Sequence, residues 1–134
     1  MPYKTKWQDN GVVWRFYGQV TAEEIETANY EFYTDERSDE AKYQIIDALE
    51  VTTVEWNELK IKEMAAQDKG ASFLINRLKV AYVSNNPKVT SVLEKYIEIS
   101  RMLNSSWKFK GFNELKPAIK WVQKSKKANK NKQS

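Results

Sequence analysis

The sequence predicts an α/β fold: a mixed, mostly parallel sheet of about five strands with about four helices and an N-terminal antiparallel hairpin. Three observations predict it. Strand-like and helix-like segments alternate, with helical stretches of about 10 to 15 residues, the spacing expected of parallel strands joined by right-handed crossovers. Asp9-Asn10-Gly11 places turn chemistry that tolerates positive φ between two stretches rich in aromatic and β-branched residues. Tyr43 to Leu49, YQIIDAL, is a short and nearly continuous apolar run, as in a strand covered on both faces.

Tyr3 to Trp7 and Val12 to Val20 form the hairpin, with Trp14, Phe16, Gly18 and Val20 on one face of the second strand and Val13, Arg15, Tyr17 and Gln19 on the other. Gly18 suits a close backbone approach. Thr21 and Glu24 have capping-box spacing, and Ile25, Ala28 and Phe32 recur at helical intervals, so a helix covers 21–35. After the central strand 43–49, Thr52 and Glu55 repeat the capping-box spacing. They predict a helix from about Val54 to Asp68 that turns Leu59, Ile61, Met64 and Ala65 inward, with Gly70 as its stop. Leu78 to Ser84 is strand-like. Asn86-Pro87 then supplies a cap and a first-turn Pro to an amphipathic helix carrying Val89, Val92, Leu93, Tyr96, Ile99, Ser100 and Leu103. Ser106 to Phe109 is a last strand, and Leu115, Ala118, Ile119 and Val122 mark a closing helix with Pro117 in its first turn. Residues 1–123 form one domain, and 124–134 a disordered Lys/Asn-rich tail.

The chain has 134 residues, enough to bury about two thirds of its unfolded surface without a disulfide or metal. It contains no Cys and no His. That removes Ser-His-Asp and Cys-His catalysis, thiol redox chemistry, haem attachment and the usual zinc sites. The net charge of +4 belongs to the tail: five of the 22 basic residues lie from Lys124 onward, leaving 17 against 18 acidic ones, a body charge of −1. With no signal-type apolar stretch at the start and no run of about 20 apolar residues, a cytoplasmic location is expected.

GVVWRFYGQVTAEE, KYQIIDALEVTTVEW, LKVAYVS followed by NNPKV, and SWKFKGFNELKPAIKWV together resemble the SpoIIAA-like family, over about residues 10 to 122. That family is related to the STAS domains of anti-sigma-factor antagonists and sulfate transporters. The resemblance implies a small domain with helices packed along a sheet in a β/α superhelical progression, a topology shared with lipid-carrying CRAL-TRIO domains. The antagonists carry a phosphorylatable Ser in an Asp-Ser-Ser-Gly segment about ten residues past a strand-end Asp. Asp47 matches that Asp, and the motif's positions fall on Glu55, Trp56, Asn57 and Glu58, with Asn57 at the acceptor and no Gly. The phosphorylation switch is therefore not expected here; Thr52 and Thr53 offer only displaced hydroxyls, better explained as caps.

In open α/β sheets ligands sit beyond the carboxyl ends of parallel strands, so Gly18 to Ala22, Asp47 to Thr53 and Ser84 to Lys88 are expected to converge. The candidate ligand-binding residues are Asp47, Thr52, Thr53, Trp56, Asn57, Ser84, Asn85 and Asn86, the plainer reading being that these side chains cap their own helices. An enzyme would need Asp47 with Glu50 or Glu55 as a carboxylate pair; nothing in the spacing demands it, and no catalytic residue, cofactor or metal is expected. Trp56, Met64, Phe73, Leu74, Tyr96 and Met102 form a candidate apolar lining between the second and third helices, with core packing as the alternative. Trp107, Lys108, Phe109 and Lys110 alternate as base-stacking strands do, but a neutral body argues against specific nucleic-acid binding. The expectation is a non-catalytic binding or protein-interaction module, the alternative a carrier of a small lipophilic or anionic ligand. A second copy of the chain is a further candidate partner.

Overall fold

Backbone pairing joins the strands strictly in chain order. In the computed structural model, which describes residues 3–8, 10–55, 57–73, 75 and 78–133, with side chains as far as Lys124, β1 (Tyr3–Gln8), β2 (Gly11–Thr21), β3 (Tyr43–Glu55), β4 (Lys79–Val83) and β5 (Lys108–Phe112) make one sheet of order β1-β2-β3-β4-β5. β1 pairs antiparallel with β2, and all later pairs are parallel, as the hairpin turn and the alternating helices predict. Crossovers that advance in one direction and share one hand must lie on one face. Accordingly α1 (Ala22–Thr34), α2 (Glu58–Ala71) and α3 (Pro87–Met102) pack together on one side, burying Ala28 and Phe32, Ile61, Met64 and Ala65, and Val89, Tyr96 and Ile97 against Val12, Trp14, Phe16, Val80 and Phe109. Each such large side chain contributes about 1.5–3 kcal/mol by leaving water. α4 (Leu115–Gln133) covers the opposite face, where Ala118 and Val122 meet Tyr43, Ile45, Ala81 and Val83. The tail expected at 124–134 falls, after Lys124, on residues whose side chains lie outside the described set.

Caps set the helix starts. Thr21 and Glu24 exchange both bonds of a capping box, Thr21 N donating to Glu24 Oε1 at 2.8 Å and Glu24 N to Thr21 Oγ1 at 3.2 Å. Asn86 accepts from Lys88 N at 3.0 Å with Pro87 in the first turn. The second predicted box fails. Thr52 and Glu55 lie inside β3, because β2 continues alongside and pairs Gln19 with Thr53 and Thr21 with Glu55, which turns Val51 and Val54 to the core and leaves Thr52 and Thr53 exposed. Asn57 caps α2 instead, accepting from Lys60 N at 2.8 Å, and the helix runs through Gly70 to Ala71. Gly18 does not mark a close approach. It adopts φ +70° beside a register shift, where a Cβ would meet no atom within 4 Å. The last strand starts two residues later than predicted, at Lys108, in register with Lys79 of β4.

The one crowded glycine is Gly11. An added Cβ would lie 2.4 Å from ring atoms of Tyr43, its partner across the β2–β3 pair, whose ring is buried and whose hydroxyl donates to Gln8 O at 3.2 Å. Gly11→Ala must therefore displace a packed ring, and we expect it to lower unfolding free energy by about 1–3 kcal/mol in urea titrations. In a Tyr43→Ala background the same change should cost clearly less.

Candidate functional site

The strand-end loops do not form one rim. Asp47 is level with Val83, the last residue of β4, whereas the β2–β3 pair runs on to Thr21 and Glu55. At about 3.3 Å per residue, Thr52 and Thr53 stand roughly 15–20 Å beyond the end of β4, so the predicted convergence of all three loops is replaced by two levels. On the far level are Thr52, Thr53 and the capping Asn57; Trp56 lies outside the described residues. On the near level, the buried Ser84 hydroxyl is 2.9 Å from that of Thr90, and Asn85 lies exposed beside the capping Asn86. Asp47 is buried, and its Oδ1 accepts from Leu49 N at 3.1 Å within its own strand. Glu50 is paired with Arg15, which donates from Nε at 2.7 Å. Both carboxylates thus have local partners, and among the described residues no group of three or more acidic side chains could hold a metal ion.

The extended pair has another consequence. Beyond β4 its inner face, Ala48, Val51 and Val54 with Val20, leans over α1 and α3 and closes a pocket between the sheet and the three helices. The enclosed space is about 50 Å³. That exceeds the roughly 10–15 Å³ one water needs and falls short of the ~150 Å³ that admits a benzene ring. Half-buried Ile25, Asn29, Val54 and Leu93 form the wall nearest solvent, on α1, the tip of β3 and α3. Of the predicted apolar lining, Met64 and Tyr96 are in this pocket; Phe73 and Met102 are more than two thirds exposed, and Leu74 lies outside the described residues.

Polar groups gather at the inner end. Gln44 is 4 % exposed on the core face of β3, next to Val80, and its Nε2 has no hydrogen-bond partner among the described residues. Asp68 of α2 is buried and accepts from the Tyr33 hydroxyl of α1. Burial pushes the Asp68 carboxyl up to about 7, against the pull of that hydrogen bond, and burial together with the neighbouring carboxylate raises the phenols of Tyr33 and Tyr82. Sequence reasoning missed both Gln44 and Asp68. The signal for Asp68 was present: it lies on the stripe of Ile61, Met64 and Ala65.

A second, open depression of about 870 Å³ runs between α3 and β5, lined by Leu93, Ile97, Met102 and Phe112 together with Glu94 and Glu98. The proposed base-stacking ladder does not stand: Trp107 and Phe109 are buried, Trp107 Nε1 donating to Ile75 O at 2.6 Å, and only Lys108 and Lys110 face solvent. Among the described residues no helix is long and apolar enough to cross a membrane.

A sequential sheet with one antiparallel edge, three helices on one face and a closing helix on the other is a SpoIIAA-like α/β fold. A solved structure described as an uncharacterized protein of the DUF3478 family with a SpoIIAA-like fold, from Shewanella loihica PV-4, is similar over 90 % of this chain and 91 % of that one, with a TM-score of 0.54 and 12 % sequence identity. No protein-family model and no curated protein matches the sequence.

Proposed function

We propose that this chain is a non-catalytic cytoplasmic binding module whose ligand is a small lipophilic molecule held between the sheet and α1–α3. The observation that carries this reading is the pocket closed by the β2–β3 extension, a space that a fully packed core would not keep. Its wall is mainly aliphatic and aromatic, and flexible Met64 can move to admit more than the resting space allows. Its wall at Val51 and Val54 lies toward the carboxyl end of β3, the end at which α/β sheets take ligands. Local pairing of Asp47 and Glu50 supports the non-catalytic part. The protein-interaction reading rests on the α3–β5 depression with exposed Met102.

Native mass spectrometry on the full chain purified from its own host should show a retained small-molecule adduct. After denaturing extraction and refolding, titration with toluene should give saturable amide shifts at Ala28, Ala48, Val51 and Val89. Saturable shifts confined to Leu93, Ile97 and Phe112 would favour the interaction module instead.

A further inference from the structure

Resting on that reading, we infer that the pocket selects an uncharged ligand that presents a hydrogen-bond-accepting oxygen, a carbonyl above all, to the side-chain amide of Gln44. The pocket is apolar over most of its wall, so a hydrocarbon body suits it once Met64 moves to make room. Gln44 Nε2, unpartnered among the described residues, is a different matter: an amide donor enclosed by the core and without a protein acceptor costs free energy, and an acceptor brought in by a ligand lowers that cost.

The surroundings decide the ligand's charge. The described residues lining the pocket include no Lys and no Arg, and Asp68 is the one acid among them. An anionic head group would enter a low-dielectric space with no counter-charge and an acid in the same wall, which is unfavourable. A cationic head would offer Gln44 no acceptor. An uncharged oxygen meets both conditions. Gln44 and Tyr82 lie on the core face of adjacent strands, two register positions apart, since Gln44 pairs with Val80 and Ile46 with Tyr82. The polar end is thus built from the rigid sheet as well as from α2, and the anionic alternative does not apply to this pocket.

The test compares near-isosteric probes on the full-length chain: cyclopentanone, methylenecyclopentane and cyclopentanecarboxylate, with dissociation constants from amide shift titrations at pH 8. In wild type the carboxylate should bind weakest. Gln44→Leu removes the amide at nearly constant volume, and the ratio of ketone to alkene affinity should fall about tenfold relative to wild type. Without any variant, the Gln44 side-chain NH2 resonances should move downfield with the ketone and not with the alkene, which keeps the inference testable if Gln44→Leu fails to fold. Equal ratios in the two proteins, an unmoved NH2 signal, or a water that stays on Nε2 with the ketone bound would overturn the inference while leaving an apolar pocket intact. Failure of all three probes to bind would overturn the pocket reading as well.

Discussion

Asp68→Asn is expected to flatten a fall in stability that is itself expected of the wild-type protein between about pH 4 and pH 7. The sign follows from proton counting. In the unfolded chain the Asp68 carboxyl titrates near its ordinary value of 3.8, whereas burial holds it near 7 in the folded protein. Below pH 4 both states carry the proton and the group is neutral toward stability. Between those values the folded state keeps a proton that the unfolded state has released, so stability declines with rising pH, and it levels off above 7. Because each unit of displacement corresponds to about 1.4 kcal/mol, the total loss is on the order of a few kcal/mol.

Asn keeps an oxygen to accept from Tyr33 and never ionises, so the variant should melt higher than wild type at pH 8 and close to it at pH 4. Among the described residues the other titratable groups that interact with the carboxyl are Tyr33 and Tyr82, both raised and therefore neutral throughout this window, and the chain has no His to titrate there. Thermal midpoints of the two proteins from pH 4 to pH 9 make the comparison, and parallel curves would show that Asp68 does not ionise with a cost. The same carboxyl forms part of the pocket wall, so this experiment also measures how well water is excluded there.

The hairpin and two of the caps were legible because each depends on chemistry within a few residues: a turn at Asn10-Gly11, Thr21 with Glu24, Asn86 with Pro87. The second capping box misled for the opposite reason. Thr-x-x-Glu at Thr52 reads the same whether it starts a helix or continues a strand, and the decision rests with β2, whose Gln19, Val20 and Thr21 sit alongside Thr53, Val54 and Glu55 from more than thirty residues away in sequence. From that single difference follow the two-level strand ends and the pocket. Met64 and Tyr96 could be read as inward by helical spacing. Gln44 could not be read as an unpartnered donor, because an amide inside YQIIDAL looks the same with or without an acceptor; only the packing of α1–α3 over it separates it from bulk solvent.

Phe32→Ala should produce the largest loss of stability of any single change considered, about 3–5 kcal/mol. The ring is 2 % exposed and joins three other rings: Trp7 stacked at 5.7 Å, Trp14 edge-on at 5.8 Å and Tyr33 edge-on at 5.8 Å. Trp7 comes from β1, Trp14 from β2 and Tyr33 from α1, so one side chain fastens the antiparallel edge of the sheet to the first helix. The Arg37 guanidinium lies over the Trp7 ring, 4.5 Å from its centroid. Phe32→Leu, which keeps most of the volume and gives up the ring contacts, should cost about 1 kcal/mol, the scale of the aromatic term alone. The comparison in urea separates cavity formation from ring geometry, and equal costs for the two variants would mean that volume is not what Phe32 supplies. Because Tyr33 follows directly and its hydroxyl holds Asp68, Phe32→Ala should also loosen the inner end of the pocket, visible as faster hydrogen exchange at the α1 amides around Phe32 than in Phe32→Leu at matched stability.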